Sequence, residues 1–401
     1  MTSRERVRTV INHNVPDYVP NGLGGCETTG LHIINYDNFQ NILGIIPTPP
    51  RINTFMTNAV FEFETISAME GDIILVASPK MCNVPLRGKD VLNKWKKEKL
   101  WERTFRIPIT ERLIKQTDGS IIWETIGNLK CPAGFYYFDN QNPTNLTDEY
   151  EYPDPDDYNP TDSFTDEFLR DLEATTKQIY SETDYSLCLG ETITDLQFSP
   201  GGQVGVMVLI MEDPELMKAY LEKAVIAGLK QITLLEQAVG KYVDILSIAH
   251  DFGDNRGITI GDNLWREIYK PYYRRLFLGW HERTNMKINL HSCGSIETIM
   301  EDLIDCGLDI YNPVQISARN MEPERIKERF GKKIVFWGGD YDAQMMYKKS
   351  YEEVYDQVSN NLNILKEDGG HIFSGVHNLP ADMPQEHLRA MLNAWKDNRN
   401  Y

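Results

Sequence analysis

Short apolar runs alternate with longer segments of helical periodicity in the second half of the chain. Each apolar run ends in polar or glycine-containing sequence, as buried strands do. The predicted strands cover residues 242–248, 287–290, 308–311, 333–337 and 370–374. Between them, apolar residues recur every three or four positions, which predicts helices. The predicted helices cover residues 214–239, 262–283, 295–306, 322–330, 351–366 and 384–395.

This alternation predicts parallel βα units joined by right-handed crossovers. Two earlier strands are expected at residues 72–77 and 184–189. We therefore predict an α/β fold, a (β/α)8 TIM barrel, because that closed sheet accommodates such a run of strands and helices. A doubly wound open sheet is the alternative.

The first 200 residues are less regular than the second half. Residues 119–134 have a hairpin-like pattern, and residues 148–162 are rich in Asp, Pro, Tyr and Asn, which predicts an exposed excursion. This excursion lacks the length and monotony of a domain linker. We therefore expect a single barrel domain over residues 1–401 with an inserted region at about 119–165.

Charge and cysteine usage narrow the class of protein. Lys and Arg number 41 against 59 Asp and Glu, a formal net charge of −18, which argues against a nucleic-acid partner. No apolar run approaches the roughly 20 residues that span a bilayer, so no membrane partner is expected. The six cysteines are scattered, as in a reducing compartment. These features predict a cytoplasmic enzyme.

Polar side chains collect where the predicted strands end. In a barrel these ends converge on one opening, so residues distant in sequence can share a site. The residues are His250, Asp251, Asp254, His291, Cys293, Asn312, Gln315, Asp340, Asp342, His377 and Asn378. For Asp251 and Asp254, capping of a following helix is as good an interpretation as catalysis.

His291, Cys293 and His377 form the natural metal set. Imidazole and thiolate are common zinc ligands, and a metal held by three protein groups keeps a position for chemistry. His291 and Cys293 lie two residues apart at one strand end, and His377 follows the last strand. The alternative for His377 is a loop residue that only makes hydrogen bonds.

Six short motifs give the chain a family resemblance. They are RERV at 4–7, PDYVP at 16–20, HSCGS at 291–295, NPVQ at 312–315, FWGGD at 336–340 and VHN at 376–378. In this order they resemble the uroporphyrinogen decarboxylase superfamily, and more narrowly its corrinoid-dependent methyltransferases. The resemblance covers essentially the whole chain and implies a (β/α)8 barrel.

Two departures from the family patterns bear on the chemistry. Uroporphyrinogen decarboxylases use no metal and carry an Arg-rich motif near the N-terminus, whereas residues 21–30 here contain no Arg. Coenzyme M methyltransferases bind zinc through His-x-Cys and a distant Cys, whose place is taken here by His377. One Cys and two His leave zinc a harder Lewis acid, suited to polarising oxygen. The resemblance thus implies an O-demethylase methyltransferase that acts on methyl ethers such as methoxylated aromatics.

In that branch the methyl acceptor is the Co(I) corrinoid of a separate carrier protein, because this chain has no Asp-x-His-x-x-Gly run of its own. The expected catalytic residues are Asp251, Asp254 and Glu27, and Glu27 is the candidate for a fourth zinc ligand or a proton relay. The expected substrate-binding residues are Tyr311, Asn312, Gln315, Trp337 and Asp340, although each aromatic one fits a core position equally well.

Three alternative functions stay open at this stage. They are a metal-free decarboxylase, a thiol methyltransferase that uses methyl-corrinoid, and a tetrapyrrole- or corrinoid-binding protein without activity.

Overall fold

The computed structural model describes residues 1–53, 56–76, 91–125, 129–139, 151–157, 164–190, 193, 196 and 202–401. The strands are β1 Arg51–Asn53, β2 Asn58–Val60, β3 Ile73–Leu75, β4 Trp95–Leu100, β5 Arg103–Pro108, β6 Leu113–Lys115, β7 Ile121–Trp123, β8 Leu129–Cys131, β9 Ser186–Leu189, β10 Ile245–Ala249, β11 Lys287–His291, β12 Ile310–Asn312, β13 Val335–Trp337 and β14 His371–Ile372. The helices are α1 Ser3–Ile11, α2 Tyr36–Ile42, α3 Phe63–Ala68, α4 Asp166–Glu182, α5 Gly202–Glu212, α6 Pro214–Val239, α7 Asp262–Ile268, α8 Lys270–His281, α9 Met300–Asp305, α10 Pro323–Phe330, α11 Ala343–Met346, α12 Tyr351–Leu365 and α13 Gln385–Asn398.

A seven-stranded parallel sheet organises the molecule. Its order is β14-β13-β12-β11-β10-β9-β3, and every neighbouring pair is parallel. All seven strands were expected from the apolar runs. The order follows the chain without reversal, whereas a doubly wound sheet reverses at a switch point, so that alternative is wrong.

Residues 20–22 connect the two edges of this sheet. Phe373, directly after β14, donates its N–H to Pro20 O and accepts from Gly22 N, both at 2.9 Å. On the other edge, Asp72 N donates to Asn21 O at 2.8 Å. The segment stands where an eighth strand would stand, but Asn21 forms only an isolated bridge. The structure therefore establishes a curled seven-stranded sheet and not a complete (β/α)8 barrel.

Helix α1 covers the amino ends of the strands. Thr2 and Glu5 form a capping box that starts the helix. Arg6 pairs with Asp72, directly before β3, and the apolar residues of α1 share a buried cluster with strand residues. That cluster contains Val7, Val10, Ile11, Cys26, Ile73, Cys188, Ile245, Ile310, Val335, Trp337 and Ile372. Because α1 covers this end, the chemistry expected at strand ends belongs at the opposite, carboxyl end.

The predicted helices are present, with two interruptions. The segment predicted as one helix at 262–283 divides at Tyr269, between α7 and α8. Pro271 follows at the start of α8, where it lacks the N–H that a continuous helix would need. The segment at 295–306 begins as a 3₁₀ turn, Glu297–Ile299, before α9. Within the described ranges, no helix combines the length and apolar character that a bilayer crossing requires.

The N-terminal half adds two antiparallel units that lie outside the main sheet. One is a four-stranded sheet in the order β2-β1-β5-β4, and the other is the three-stranded sheet β6-β7-β8. The hairpin expected at 119–134 is confirmed by the pairing of Ile121 with Cys131. Of the predicted excursion, residues 151–157 hold only a 3₁₀ turn, Pro155–Asp157, and the remainder lies outside the described residues. The single-domain boundary stays a prediction.

Candidate metal site and adjoining cavities

The structure brings His291, Cys293 and His377 together, and we refer to them as the metal triad. Their ligand atoms all lie within 4.8 Å of one another. Cys293 Sγ lies 3.4 Å from His291 Nε2. Tetrahedral bonds of about 2.0 Å to nitrogen and 2.3 Å to sulfur would separate such atoms by roughly 3.5 Å. Cys293 and His291 therefore already have the separation that a shared zinc ion requires, and His377 lies within reach of the same ion.

Asn312 orients the imidazole of His291. Its Oδ1 lies 2.6 Å from His291 Nδ1 and accepts a second bond from Thr28 Oγ1 at 2.8 Å, while its Nδ2 donates to Trp337 O. Because an amide oxygen only accepts, Nδ1 of His291 must carry the proton. The lone pair of Nε2 then faces Cys293, as a metal ligand requires.

The backbone after His291 is held in one turn. Cys293 N donates to Asp251 Oδ1 at 2.8 Å, and Gly294 N donates to Gln315 Oε1 at 2.7 Å. Gly294 has φ +86°, and a Cβ there would lie 2.5 Å from the backbone of Gly253. Only glycine adopts this positive φ readily and has no Cβ to collide with Gly253, which explains why glycine follows Cys293.

Burial keeps the triad uncharged in the absence of a cation. It lowers the pKa of His291, and it lowers the pKa of His377 to about 4, with a further contribution from the neighbouring His291. Burial, reinforced by the charges of Asp251 and Asp342, raises the pKa of the Cys293 thiol to about 12. A bound cation reverses this preference at the thiol, because metal ligation favours the thiolate and releases its proton.

Asp251 and Asp254 differ in their relation to the triad. Asp251 is bonded to the Cys293 backbone, its Oδ1 lies 3.9 Å from His291 Nε2, and its side chain is 44% exposed. Asp254 accepts from the backbone N–H groups of Arg256 and Gly257, within its own turn. Neither caps a helix, because α7 begins after Gly261.

One cavity adjoins the Asp251 side of the triad. It has a volume of about 300 Å³ and is lined by both acidic residues, Asp251 and Asp254, and by His250. Its far wall comes from α5, through Gln203, Val206, Met207 and Ile210. Sequence reasoning missed this wall. The available signal was the almost uninterrupted apolar sequence of residues 204–211, which is unusual for a surface helix.

A second cavity, which we call the His377 cavity, reaches a member of the triad itself. Its volume is about 610 Å³, and its lining includes His377 and Asn378 together with His32, Tyr137 and Phe138. Tyr137 and Phe138 belong to the inserted region at about 119–165, in which sequence reasoning placed no site residue. The sequence signal was the aromatic run Phe135-Tyr136-Tyr137-Phe138.

The residues expected to bind substrate lie beneath the site. Asn312 and Gln315 hold His291 and Gly294, and Tyr311 is fully buried and donates its hydroxyl to Ser292 O. Trp337 is fully buried in the cluster next to α1. Asp340 is fully buried against His371, with 3.0 Å between Oδ1 and Nε2. In this structure, then, none of the five forms a wall of either cavity described above.

Two further carboxylates, those of Glu27 and Asp342, are buried. Glu27 is 3% exposed, and a Cβ on Gly190 would overlap its carboxylate; it is not a member of the 4.8 Å cluster. Asp342 is 2% exposed and accepts from Gln344 N, while its Oδ2 is buried with no hydrogen-bond partner within the part of the chain that the structure describes. The negative charge of Asp342 contributes to the raised pKa of the Cys293 thiol. Asp342 is thus a site residue that the strand-end pattern noted without assigning a role.

Comparison with solved structures supports the fold described above. A methyltransferase from Methanosarcina mazei superposes with a TM-score of 0.58 at 13% identity, covering 99% of each chain, which indicates a shared fold. A protein described as a candidate fructose-1,6-biphosphate aldolase from Coccidioides immitis has 12% identity over 58% of this chain and 73% of its own, with a TM-score of 0.28. No curated protein sequence matches this chain at a significant level.

The second half of the chain also matches a family directly. Residues 201–398 fit the sequence model of uroporphyrinogen decarboxylase (URO-D), and this range contains the whole metal triad and the last five strands of the sheet. The match of residues 201–398 to this family model confirms the resemblance to the uroporphyrinogen decarboxylase superfamily over that range.

Proposed function

We propose that this protein is a zinc-dependent methyltransferase that takes a methyl group from an ether oxygen and passes it to the Co(I) corrinoid of a separate carrier protein. The observation that carries the proposal is the metal triad, with two imidazoles and one thiol at the carboxyl end of the sheet. The URO-D family match and the shared fold with a methyltransferase support the general class.

The triad residues fit the proposed metal. His291 presents Nε2 because Asn312 fixes its tautomer, and Cys293 is positioned by the bond from its backbone N–H to Asp251. When bound, zinc would supply positive charge that stabilises the oxygen anion as the methyl group leaves. A single sulfur ligand leaves that charge less neutralised than two would, which favours oxygen over thiol chemistry.

The chain's own groups can manage the proton that the reaction requires. The ether C–O bond breaks with its electron pair on oxygen, the methyl group goes to the acceptor, and the oxygen then takes a proton. Asp251 is suited to transfer that proton, because its carboxylate is next to the triad and 44% exposed toward the adjoining cavity. Asp254, which is tied into its own turn, is less suited to that role.

The test combines metal analysis with a demethylation assay. Purified protein should contain about one zinc per chain, and it should consume Co(I) cobalamin in the presence of a methoxylated aromatic, followed by the loss of Co(I) absorbance. Cys293→Ala and His377→Ala should lower turnover by orders of magnitude, because several kcal/mol of leaving-group stabilisation are lost. Cys306→Ala, a buried cysteine outside the triad, is the matched control.

Two results would overturn the proposal. One is faster methylation of a thiol by methylcobalamin than demethylation of any ether. The other is a His377→Cys variant that demethylates ethers better than the native protein.

A further inference from the structure

The His377 cavity has the volume of a small-molecule site and aromatic residues in its walls. Its volume of about 610 Å³ falls within the roughly 300 to 1,000 Å³ of small-molecule sites. One end reaches His377 of the metal triad, and the walls include His32, Met56, Tyr137 and Phe138. A molecule seated among these rings would present one edge toward the triad.

The aromatic wall is held in place from both sides. The hydroxyl of Tyr137 accepts from Ala381 N at 2.9 Å, shortly after His377 in the chain. Phe138 packs edge-on against Trp123, with 5.2 Å between ring centroids. Lys130 and Asp139 exchange backbone hydrogen bonds at 2.9 and 3.0 Å, which fixes the segment against β8. A wall ordered before the ligand arrives costs little entropy on binding.

The polar groups of the cavity distinguish neutral from anionic ligands. Nε2 of His32 faces Tyr136 O at 3.0 Å and Nδ1 accepts from Ile34 N, so the ring is neutral, and burial lowers its pKa to about 4. No Lys or Arg belongs to the cavity lining within the described residues, whereas the acidic residue Asp139 does. A ligand carboxylate would be buried here without a cation.

From this arrangement we propose that the inserted segment 129–139 is the specificity element of the enzyme: it forms the methyl-donor site in the His377 cavity and selects uncharged methoxylated aromatic rings. The inference rests on the proposed function for the reaction, and it adds the location of the donor, the residues that select it and its charge. Contacts between the ligand ring and the aromatic side chains of the cavity account for the preference for aromatic over aliphatic ethers. Two rings whose centroids lie about 4.5 to 7 Å apart gain affinity beyond that from buried apolar area.

The test measures binding separately from turnover in the full-length, zinc-loaded protein. Veratrole, guaiacol and their carboxylated counterpart veratrate are titrated by calorimetry without corrinoid, and KM is then measured in the cobalamin assay. Phe138→Leu and Tyr137→Leu remove a ring and keep apolar volume, so the affinity for veratrole and guaiacol should fall about tenfold each. Phe135→Leu is the control, because Phe135 lies in the same segment but is 62% exposed and outside the cavity.

The outcomes separate this inference from the proposed function. Neutral arenes that bind at least tenfold more tightly than veratrate, with losses confined to Phe138→Leu and Tyr137→Leu, support it. Demethylation with an unchanged KM in both variants would overturn the donor site and leave the reaction intact. Tight arene binding without methyl transfer would overturn the proposed reaction instead. Preferred binding of veratrate or of an aliphatic ether would contradict the selection for neutral rings.

Discussion

At the residue scale, Asn312 decides which nitrogen of His291 faces the triad. Asn312→Leu keeps similar volume but removes the acceptor for Nδ1–H, so the tautomer and the ring orientation are no longer fixed. Loss of such a partner typically weakens metal binding about 10- to 100-fold. Competition with a chromophoric zinc chelator measures this. Thr28→Val should have a smaller effect, because Asn312 would remain bonded to Trp337 O. Equal affinities in Asn312→Leu and the native protein would contradict the assignment.

Asp342 gives a second prediction at this scale. Its buried charge opposes ionisation of the Cys293 thiol, and the same charge attracts a cation at the triad. Asp342→Asn keeps the oxygen that accepts from Gln344 N but removes the charge, so zinc affinity should fall roughly tenfold with little change in stability. Asp254→Asn is the control, since Asp254 is bonded within its own turn. An unchanged zinc affinity in Asp342→Asn would remove Asp342 from the site.

The sequence also shows its limits at single residues. His291 and Cys293 were recognisable because ligand residue types coincide with a strand end. The strand-end position did not reveal that Trp337 belongs to the cluster next to α1, or that Asp340 is fully buried against His371. Successive side chains on a strand point to opposite faces. Two neighbouring residues at a strand end can therefore differ completely, with one side chain in a cavity wall and the next one buried in the interior.

At the element scale, Arg6 anchors α1 to the sheet. Its guanidinium lies 2.6 Å from Asp72, and these side chains are 5% and 1% exposed. Arg6→Met leaves a buried carboxylate without its cation, which typically costs about 3 to 5 kcal/mol. Urea unfolding measures the loss. Arg275→Met is the control: the side chains of Arg275 and Glu222 are 50% and 41% exposed, so their ion pair should contribute less than about 1 kcal/mol. Similar losses in both variants would contradict this account.

A pH-dependent contact joins the end of α8 to β12. The hydrogen bond to Asp309 raises the pKa of His281, and burial opposes the shift. A raised pKa means that the protonated ring stabilises the fold, fully below about pH 6.5 and less as pH rises through the folded pKa. The contribution of this contact to the unfolding free energy should therefore fall as pH rises above about 6.5. The difference in unfolding free energy between the native protein and His281→Gln should shrink over that range, and a difference that does not change with pH would refute the assignment.

The main strands and helices could be predicted from local sequence patterns. The short strand β1 and the aromatic cavity wall depend on contacts with residues distant in sequence. The strands of the parallel sheet are short apolar runs with clear ends, so periodicity located them. Strand β1 has only three residues, and its pairing of Arg51 with both Val60 and Arg106 depends on tertiary packing. The aromatic residues Tyr137 and Phe138 line one cavity with His377 for the same reason, and no local pattern encodes that approach.

At the scale of the whole molecule, a metal at the triad should stabilise the entire fold. It would join β11 to the segment after β14, which lie three strands apart in the sheet. Free zinc at about 100 times its dissociation constant should add about 2.7 kcal/mol. Thermal unfolding with and without zinc measures this, and Cys293→Ala should abolish the increase while Cys306→Ala retains it. A zinc-dependent increase that persists in Cys293→Ala would place the metal elsewhere.

The distribution of the triad along the chain also has a consequence for synthesis on the ribosome. His291 and Cys293 emerge well before His377, which follows the last strand of the sheet. A nascent chain can therefore offer only two of the three ligands until its final strand is translated. Metal acquisition would thus follow completion of the sheet, and prematurely terminated chains would remain unmetallated and distinguishable from finished protein.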